Sequence, residues 1–227
     1  MSAPLRLVIF DVDGTLVDSQ GDIITALGEA FHAARLTPPD RATMLGIVGL
    51  SLDVAMERLA PEAQADTHAV MVRAYKDAYM SLRQKTGAAQ SSPLYPGARA
   101  ALEALHAQDE VVLGIATGKS MRGLDKLFDA HDLHPFFATR QVADFHPSKP
   151  HPSMILQAMA EAGVGPEATV MVGDTTYDMD MAAAAGVRGI GVGWGYHPVG
   201  WLTGAHQIVH SFSELATALG PVECVAP

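Results

Sequence analysis

The sequence predicts an α/β fold, a doubly wound parallel sheet with an all-helical domain inserted soon after its first strand. Three observations carry this. From Pro96-Gly97 onward, stretches with helical apolar spacing alternate with short apolar runs of strand length, the pattern of a parallel sheet covered on both faces. Before that point, residues 17–92 show helical spacing and no strand-like alternation. Finally, several apolar runs stop at carboxylates, hydroxyls or glycines, and open α/β sheets hold their ligands at the carboxyl ends of strands.

The first strand is Leu7-Val8-Ile9-Phe10, cut off by a carboxylate. Asp11-Val12-Asp13-Gly14-Thr15 follows. Two carboxylates two residues apart at a glycine turn reach into one crevice; a polar turn that merely ends a strand is the alternative. Ile23, Leu27, Ala30, Phe31 and Ala34 then mark a helix that stops near Thr37-Pro38-Pro39. Ser51 is placed to cap a short helix with Leu52, Ala55, Met56 and Leu59, halted by Pro61. Met71, Tyr75, Tyr79 and Leu82 form another helical stripe. The stretch Thr86–Pro93 reads as a flexible return linker. The chain thus divides into a core, residues 1–16 and 93–227, and a helical lid, residues 17–92. In the core, helices over Ala98–Ala107, Met121–Ala130, Ser153–Ala162 and Asp178–Ala185 lead to strands at Val111–Ile115, Phe136–Phe137, Ala168–Val172 and Gly189–Val192. A last strand, Gln207–Val209, precedes a helix from Ser213.

Hydrophobic residues make up 48% of the 227 and charged residues 18%, which is globular composition. A net charge of −10 argues against nucleic acid or an anionic membrane as partner, since both need clustered Lys and Arg. No apolar run reaches the roughly 18–20 residues of a membrane span, and no basic stretch leads into a long apolar one near the start. The single cysteine, Cys224, allows no intramolecular disulfide, and the absence of asparagine excludes N-glycosylation. A cytoplasmic protein is the expectation.

The remaining strand ends carry the chemistry. Thr117-Gly118-Lys119-Ser120 joins a hydroxyl, a glycine-opened backbone and a helix start, which suits an anion; Ser120 as a plain helix cap is the alternative. Lys149, bracketed by Pro147 and Pro150, is a point charge fit for phosphate oxygens. Gly173-Asp174 ends another strand and Asp178 begins the next helix. Hard carboxylate ligands from several strands suit Mg²⁺. His131, His134, His146 and His151 lack cysteine partners and the setting of a zinc site. Met71, Met80, Met154 and Met159 read as core, Trp194 and Trp201 as packing residues, and Arg58, Arg73, Lys76 and Arg83 as a solvated helix face, with a part in binding an anionic substrate as the alternative.

Asp11-Val12-Asp13-Gly14-Thr15, Thr117, Lys149-Pro150 and Gly173-Asp174 with Asp178 resemble, in order and spacing, the four motifs of the haloacid dehalogenase superfamily. The helical insert is similar to that superfamily's first type of cap on its Rossmann-like core. Lys149-Pro150-His151-Pro152 and Gly191–Tyr196 resemble the phosphoglycolate phosphatase branch. The resemblance implies a phosphatase of small phosphorylated metabolites, a monomer or homodimer, with Asp11 as nucleophile and Asp13 as general acid and base. It implies Mg²⁺ held by Asp11, the Asp13 backbone carbonyl and Asp174, and phosphate oxygens held by Thr117, the Gly118 amide and Lys149. Asp178 stands behind them, orienting Lys149 or a metal-bound water. Substrate choice falls to the lid, where the loop Gly46–Ser51 is the candidate because its glycines allow close approach to a small ligand; a plain interhelical turn is the alternative reading of that loop. That loop lacks the lysine of phosphonate-cleaving relatives and the arginine of hexose-phosphate mutases. A phosphomutase or a pyrophosphatase using the same Asp11 chemistry is the alternative.

Overall fold

The computed structural model describes residues 4–220; Cys224 lies outside them. Six strands form one parallel sheet: β1 (Arg6–Phe10), β2 (Val111–Thr117), β3 (Thr139–Val142), β4 (Thr169–Gly173), β5 (Arg188–Val192) and β6 (Gln207–Val209). Their order across the sheet is β3-β2-β1-β4-β5-β6, the doubly wound arrangement in which the chain reverses direction across the sheet beside β1. Alternate residues of β1 feed opposite faces, as the pleat requires. Val8 and Phe10 join Leu102, Leu113, Ile115 and Phe128 in one core. Leu7 and Ile9 join Met154, Ile155, Met171 and Met181 in the other. Burial on both faces explains why these strands read as continuous apolar runs.

Between β1 and β2 the chain forms α1 (Gln20–Ala33), α2 (Arg41–Leu45), α3 (Leu52–Leu59), α4 (Ala65–Thr86) and α5 (Ala88–Ser91), with α6 (Ala98–His106) leading into β2. Ile23, Leu27, Phe31, Met44, Met56 and Met71 give the inserted helices an apolar cluster of their own. Its axis is the packing of α1 along α4. The sheet region continues with α7 (Met121–His131), α8 (Ser153–Ala162), α9 (Thr176–Ala184) and α10 (Phe212–Ala218). Among the described residues no helix is long and apolar enough to cross a membrane.

Four local expectations need correcting. Phe136 closes a short 3₁₀ turn, and Phe137 stacks on Phe128 with ring centroids 5.2 Å apart. The third strand is instead Thr139–Val142, an edge strand whose polar Thr139, Arg140 and Gln141 hide it from an apolar search. The stretch Thr86–Pro93 is not a flexible linker: it holds α5, and Ser92 is fully buried. Arg83 donates to Ser92 Oγ at 3.1 Å, and His131 Nε2 lies 2.8 Å from the Ser92 carbonyl oxygen. Ser51 occupies the position before α3 but makes no side-chain cap; its N–H donates to Ser148 Oγ at 2.8 Å instead. Trp201 packs only edge-on against His197 and stays 58% exposed, whereas Trp194 packs against Tyr95 and Phe212 as expected.

Candidate active site

β1 and β4 are neighbours in the sheet, so their carboxyl ends deliver Asp11 and Asp174 to the same spot. Asp11 follows the last residue of β1 and is 1% exposed; Asp174 follows β4 and is fully buried. The turn Asp13-Gly14 lies over Asp174. Gly14 has φ +83, and a Cβ there would collide with the Asp174 carboxylate, so only glycine serves at that position. Asp174 Oδ1 accepts from Thr15 Oγ1 at 2.9 Å and Oδ2 from the Tyr196 N–H at 2.8 Å.

Lys149 arrives from the loop between β3 and α8 with no exposed side-chain surface. Its ammonium donates to Asp11 Oδ1 and Asp178 Oδ1, both at 2.7 Å. Asp178 is itself fixed by the start of α9. Its Oδ2 accepts from Thr175 N and Oγ1, and the Thr175 hydroxyl oxygen accepts from the Asp178 N–H, a reciprocal capping box. Burial alone would lower the Lys149 pKa, but Asp11 and Asp178 raise it, so the ammonium is firmly charged.

The site holds more anion than cation. Asp11, Asp174 and Asp178 offer carboxylate oxygens within 4.8 Å of one another, against the single Lys149 ammonium. Burial pushes Asp11 up to about 7, and burial with Asp11 and Asp178 nearby raises Asp174 well above the usual carboxylate range. Asp11 Oδ2 is buried with no hydrogen-bond partner. A hard divalent cation would supply the missing charge and the missing partner, so the donor set fits Mg²⁺. Asp178 belongs to the oxygen cluster but is already paired with the Lys149 ammonium and locked into the cap of α9; Asp174 accepts only from neutral donors and Asp11 Oδ2 from none, so Asp11 and Asp174 are the better side-chain ligands.

Asp13 is set apart from that cluster. Its Oδ2 pairs with Lys119 Nζ at 2.8 Å and its Oδ1 accepts from Ser19 Oγ, to which Tyr196 is also joined. Lys119 also donates to Tyr79 Oη at 3.2 Å, bridging the end of β2 and α4. Neither Lys119, Ser19 nor Tyr196 received a role from sequence. The visible signals were a lysine two residues beyond Thr117 and a tyrosine in the glycine-rich stretch after β5.

Asp11 and Asp13 open on a cavity of about 450 Å³ whose wall includes Thr117, Gly118 and the loop Ile47–Leu52. Thr117 is 1% exposed, and a Cβ on Gly118 would meet the carbonyl oxygens of Gly49 and Leu50. Ser120 caps α7 by accepting from the Gly123 N–H at 3.2 Å. Arg83, read from sequence as solvated, is 8% exposed and lines the cavity. Met80 lines it too, while Met71 and Met154 are fully buried. His134 bonds Asp129, and His146 and His151 both meet Ser153, His146 through its hydroxyl and His151 through its N–H.

Fold and site together define an α/β enzyme with buried carboxylates and one lysine at the switch point of its sheet. The model of the haloacid dehalogenase-like hydrolases matches residues 8–192. The "Probable phosphatase IndB" of Dickeya dadantii (strain 3937) is 36% identical over 93% of this chain and 92% of its own length. The phosphoglycolate phosphatase of Salmonella typhi is 29% identical over 95% of this chain and 93% of its own length. Among solved structures, a haloacid dehalogenase-like family hydrolase from Streptococcus pneumoniae superposes with a TM-score of 0.80 at 26% identity, covering 94% of this chain and 98% of that one. The chain belongs to the haloacid dehalogenase-like hydrolases. It is an enzyme, a phosphatase of that family.

Proposed function

We propose that the enzyme hydrolyses a small phosphate monoester through a phosphorylated Asp11, in the manner of a phosphoglycolate phosphatase. The observation that carries this reading is the state of Asp11. One oxygen is held by a buried ammonium at 2.7 Å, and the other is buried without a partner. A carboxylate so placed is oriented for attack and starved of charge compensation.

Asp11 attacks phosphorus, and the bond from phosphorus to the leaving oxygen breaks. Asp13, released from Lys119 as substrate enters and protonated from solvent, gives that proton to the leaving oxygen, releasing an alcohol. Asp13, now ionised, takes a proton from water as the water attacks the phosphoaspartate; inorganic phosphate leaves and Asp11 is regenerated. Thr117, the Gly118 amide and Lys149 hold the phosphoryl oxygens, a preorganised electrostatic role. Asp178 keeps Lys149 aimed. Asp11, Asp174 and the Asp13 backbone carbonyl would hold Mg²⁺, which would offset the negative charge of phosphate against that of Asp11. Residues 17–92 act as the lid domain that shields the reaction from bulk water. Support for a small monoester comes from the Salmonella relative and from the absence, in Gly46–Ser51, of the lysine and arginine that mark other chemistries of the superfamily.

Asp11→Asn is the direct test. Turnover of phosphate monoesters with Mg²⁺ should fall by at least about 10⁴-fold, with the circular dichroism spectrum unchanged. Retained activity would overturn the mechanism. A panel of monoesters, sugar bisphosphates and pyrophosphate, assayed for released phosphate and for isomerised sugar, separates hydrolysis of monoesters from the mutase and pyrophosphatase alternatives.

A further inference from the structure

The loop Gly46–Ser51, whose residues 47–51 line the cavity, is fastened to the sheet region at both ends. At its start the Gly46 carbonyl oxygen accepts from Tyr177 Oη at 2.8 Å. His197 Nε2 lies 3.1 Å from the same oxygen. Because His197 Nδ1 accepts from the Thr176 N–H at 3.2 Å, the ring proton sits on Nε2 and is donated to Gly46. In the middle of the loop Gly49 has φ +102, and a Cβ there would stand 3.3 Å from Thr175 Oγ1. At its end the Ser51 N–H donates to Ser148 Oγ at 2.8 Å.

Each anchor on the sheet side is the chain neighbour of a group on which the site depends. Ser148 precedes Lys149 and Tyr177 precedes Asp178, and those two neighbours form the buried ion pair at 2.7 Å. Thr175, beneath Gly49, holds Asp178 Oδ2 through its N–H and its hydroxyl. His197 follows Tyr196, whose N–H donates to Asp174. Planar peptides leave few soft dihedrals between adjacent side chains, so a shift of Ser148 or Tyr177 is carried to its neighbour. The loop thus grips the ion pair from both of its chain segments.

We propose that Ser148 and Tyr177 are positioning residues through which the seated loop Gly46–Ser51 fixes the Lys149–Asp178 pair. Lys149 then meets the phosphoryl oxygens in the right place only beneath a seated loop. This rests on the phosphatase reading above. An ester whose leaving group props the loop away still binds, but it loses rate because Lys149 is misplaced. Discrimination of this kind falls on kcat, as in other sites assembled by a closing element.

Ser148→Ala and Tyr177→Phe each delete one hydrogen bond and little volume. On 4-nitrophenyl phosphate and on phosphoglycolate, with Mg²⁺, each should lower kcat by about ten- to a hundredfold, the cost of a misplaced catalytic group. KM should change by less than about threefold. Ser148→Thr, which keeps the acceptor, should retain most of the wild-type kcat. In the Lys149→Met background Ser148→Ala should lower kcat no further, since both act through one ammonium. Amide exchange reads the contact without turnover: the Ser51 N–H should exchange at least about tenfold faster in Ser148→Ala. A contact that merely holds the loop predicts a raised KM or a lowered Tm with kcat intact, or an equal loss of kcat with and without Lys149. Either result would overturn the proposal, as would unchanged exchange at Ser51. Should Lys149→Met not fold, the split between kcat and KM and the Ser148→Thr variant decide the matter. Failure of the wild type on every monoester, with Mg²⁺ present, would instead sink the phosphatase reading and with it the role of Lys149, while faster Ser51 exchange in Ser148→Ala would leave the seat itself standing.

Discussion

Lys149 shows how one side chain carries both stability and chemistry. Its ammonium touches two buried carboxylates at 2.7 Å, so it cannot be removed without leaving charge stranded. Replacing it by methionine keeps most of the volume and deletes the counter-ion. In the absence of Mg²⁺, Lys149→Met should destabilise the protein by about 3–5 kcal/mol, read as a shift in the urea unfolding midpoint. The loss should be smaller at acid pH, where Asp11 takes up a proton. An unchanged midpoint at pH 8 would show that the ammonium is not compensating those carboxylates. With Mg²⁺ restored, turnover should still be reduced by about 10²–10³-fold, the range for losing one preorganised electrostatic donor.

At the level of elements, the site depends on where loops from the helical insert meet strand ends. The tightest such approach described above is at Gly118, where an added Cβ would meet the Leu50 carbonyl oxygen at 2.5 Å and that of Gly49 at 2.7 Å. Both acceptors are backbone, so a side chain there has to push the loop Ile47–Leu52 away from β2. Gly118→Ala should cost about 1–3 kcal/mol, as overpacking does, and should reduce kcat/KM by enlarging the cavity mouth. An alanine variant with wild-type stability and kinetics would mean that this contact neither orders the loop nor closes the site. Such contacts also mark the limit of what the sequence discloses. Strand ends were legible because β1, β2 and β4 are buried on both faces and stop abruptly at Asp11, Thr117 and Asp174. The edge strand β3 was not, since Thr139-Arg140-Gln141 carries no apolar run. Nor was the short helix within 86–93 or the burial of Ser92, which is held by Arg83 and His131, residues distant in sequence or assigned to solvent. Lys119 was visible but without a role, because its partner Asp13 lies in another motif and only the fold joins them.

For the molecule as a whole, the excess of buried carboxylate couples stability to pH and to the cation. Asp11 is raised from 3.8 to about 7 in the folded chain, and Asp174 is raised as well. Between the unfolded and folded values the folded protein holds a proton that the unfolded chain has released. The stabilising contribution of Asp11 is therefore complete below pH 3.8 and is lost as pH rises through about 7. His146 and His197 act in the opposite sense, because burial lowers both; their contribution is present above the ordinary histidine pKa and is lost as pH falls. Lys119 and Lys149, both raised, stay charged throughout this range and add no slope. A melting curve in EDTA alone thus mixes two trends. The difference made by Mg²⁺ isolates one of them, since the histidines contribute equally with and without the ion. Mg²⁺ competes with protons for Asp11 and Asp174, so the rise in Tm at a fixed Mg²⁺ concentration should be larger at pH 8 than at pH 5.5. Asp11→Asn should flatten that dependence, because it removes one of the two competing protonation sites. A rise in Tm that is the same at both pH values in the wild type would place the cation away from these carboxylates.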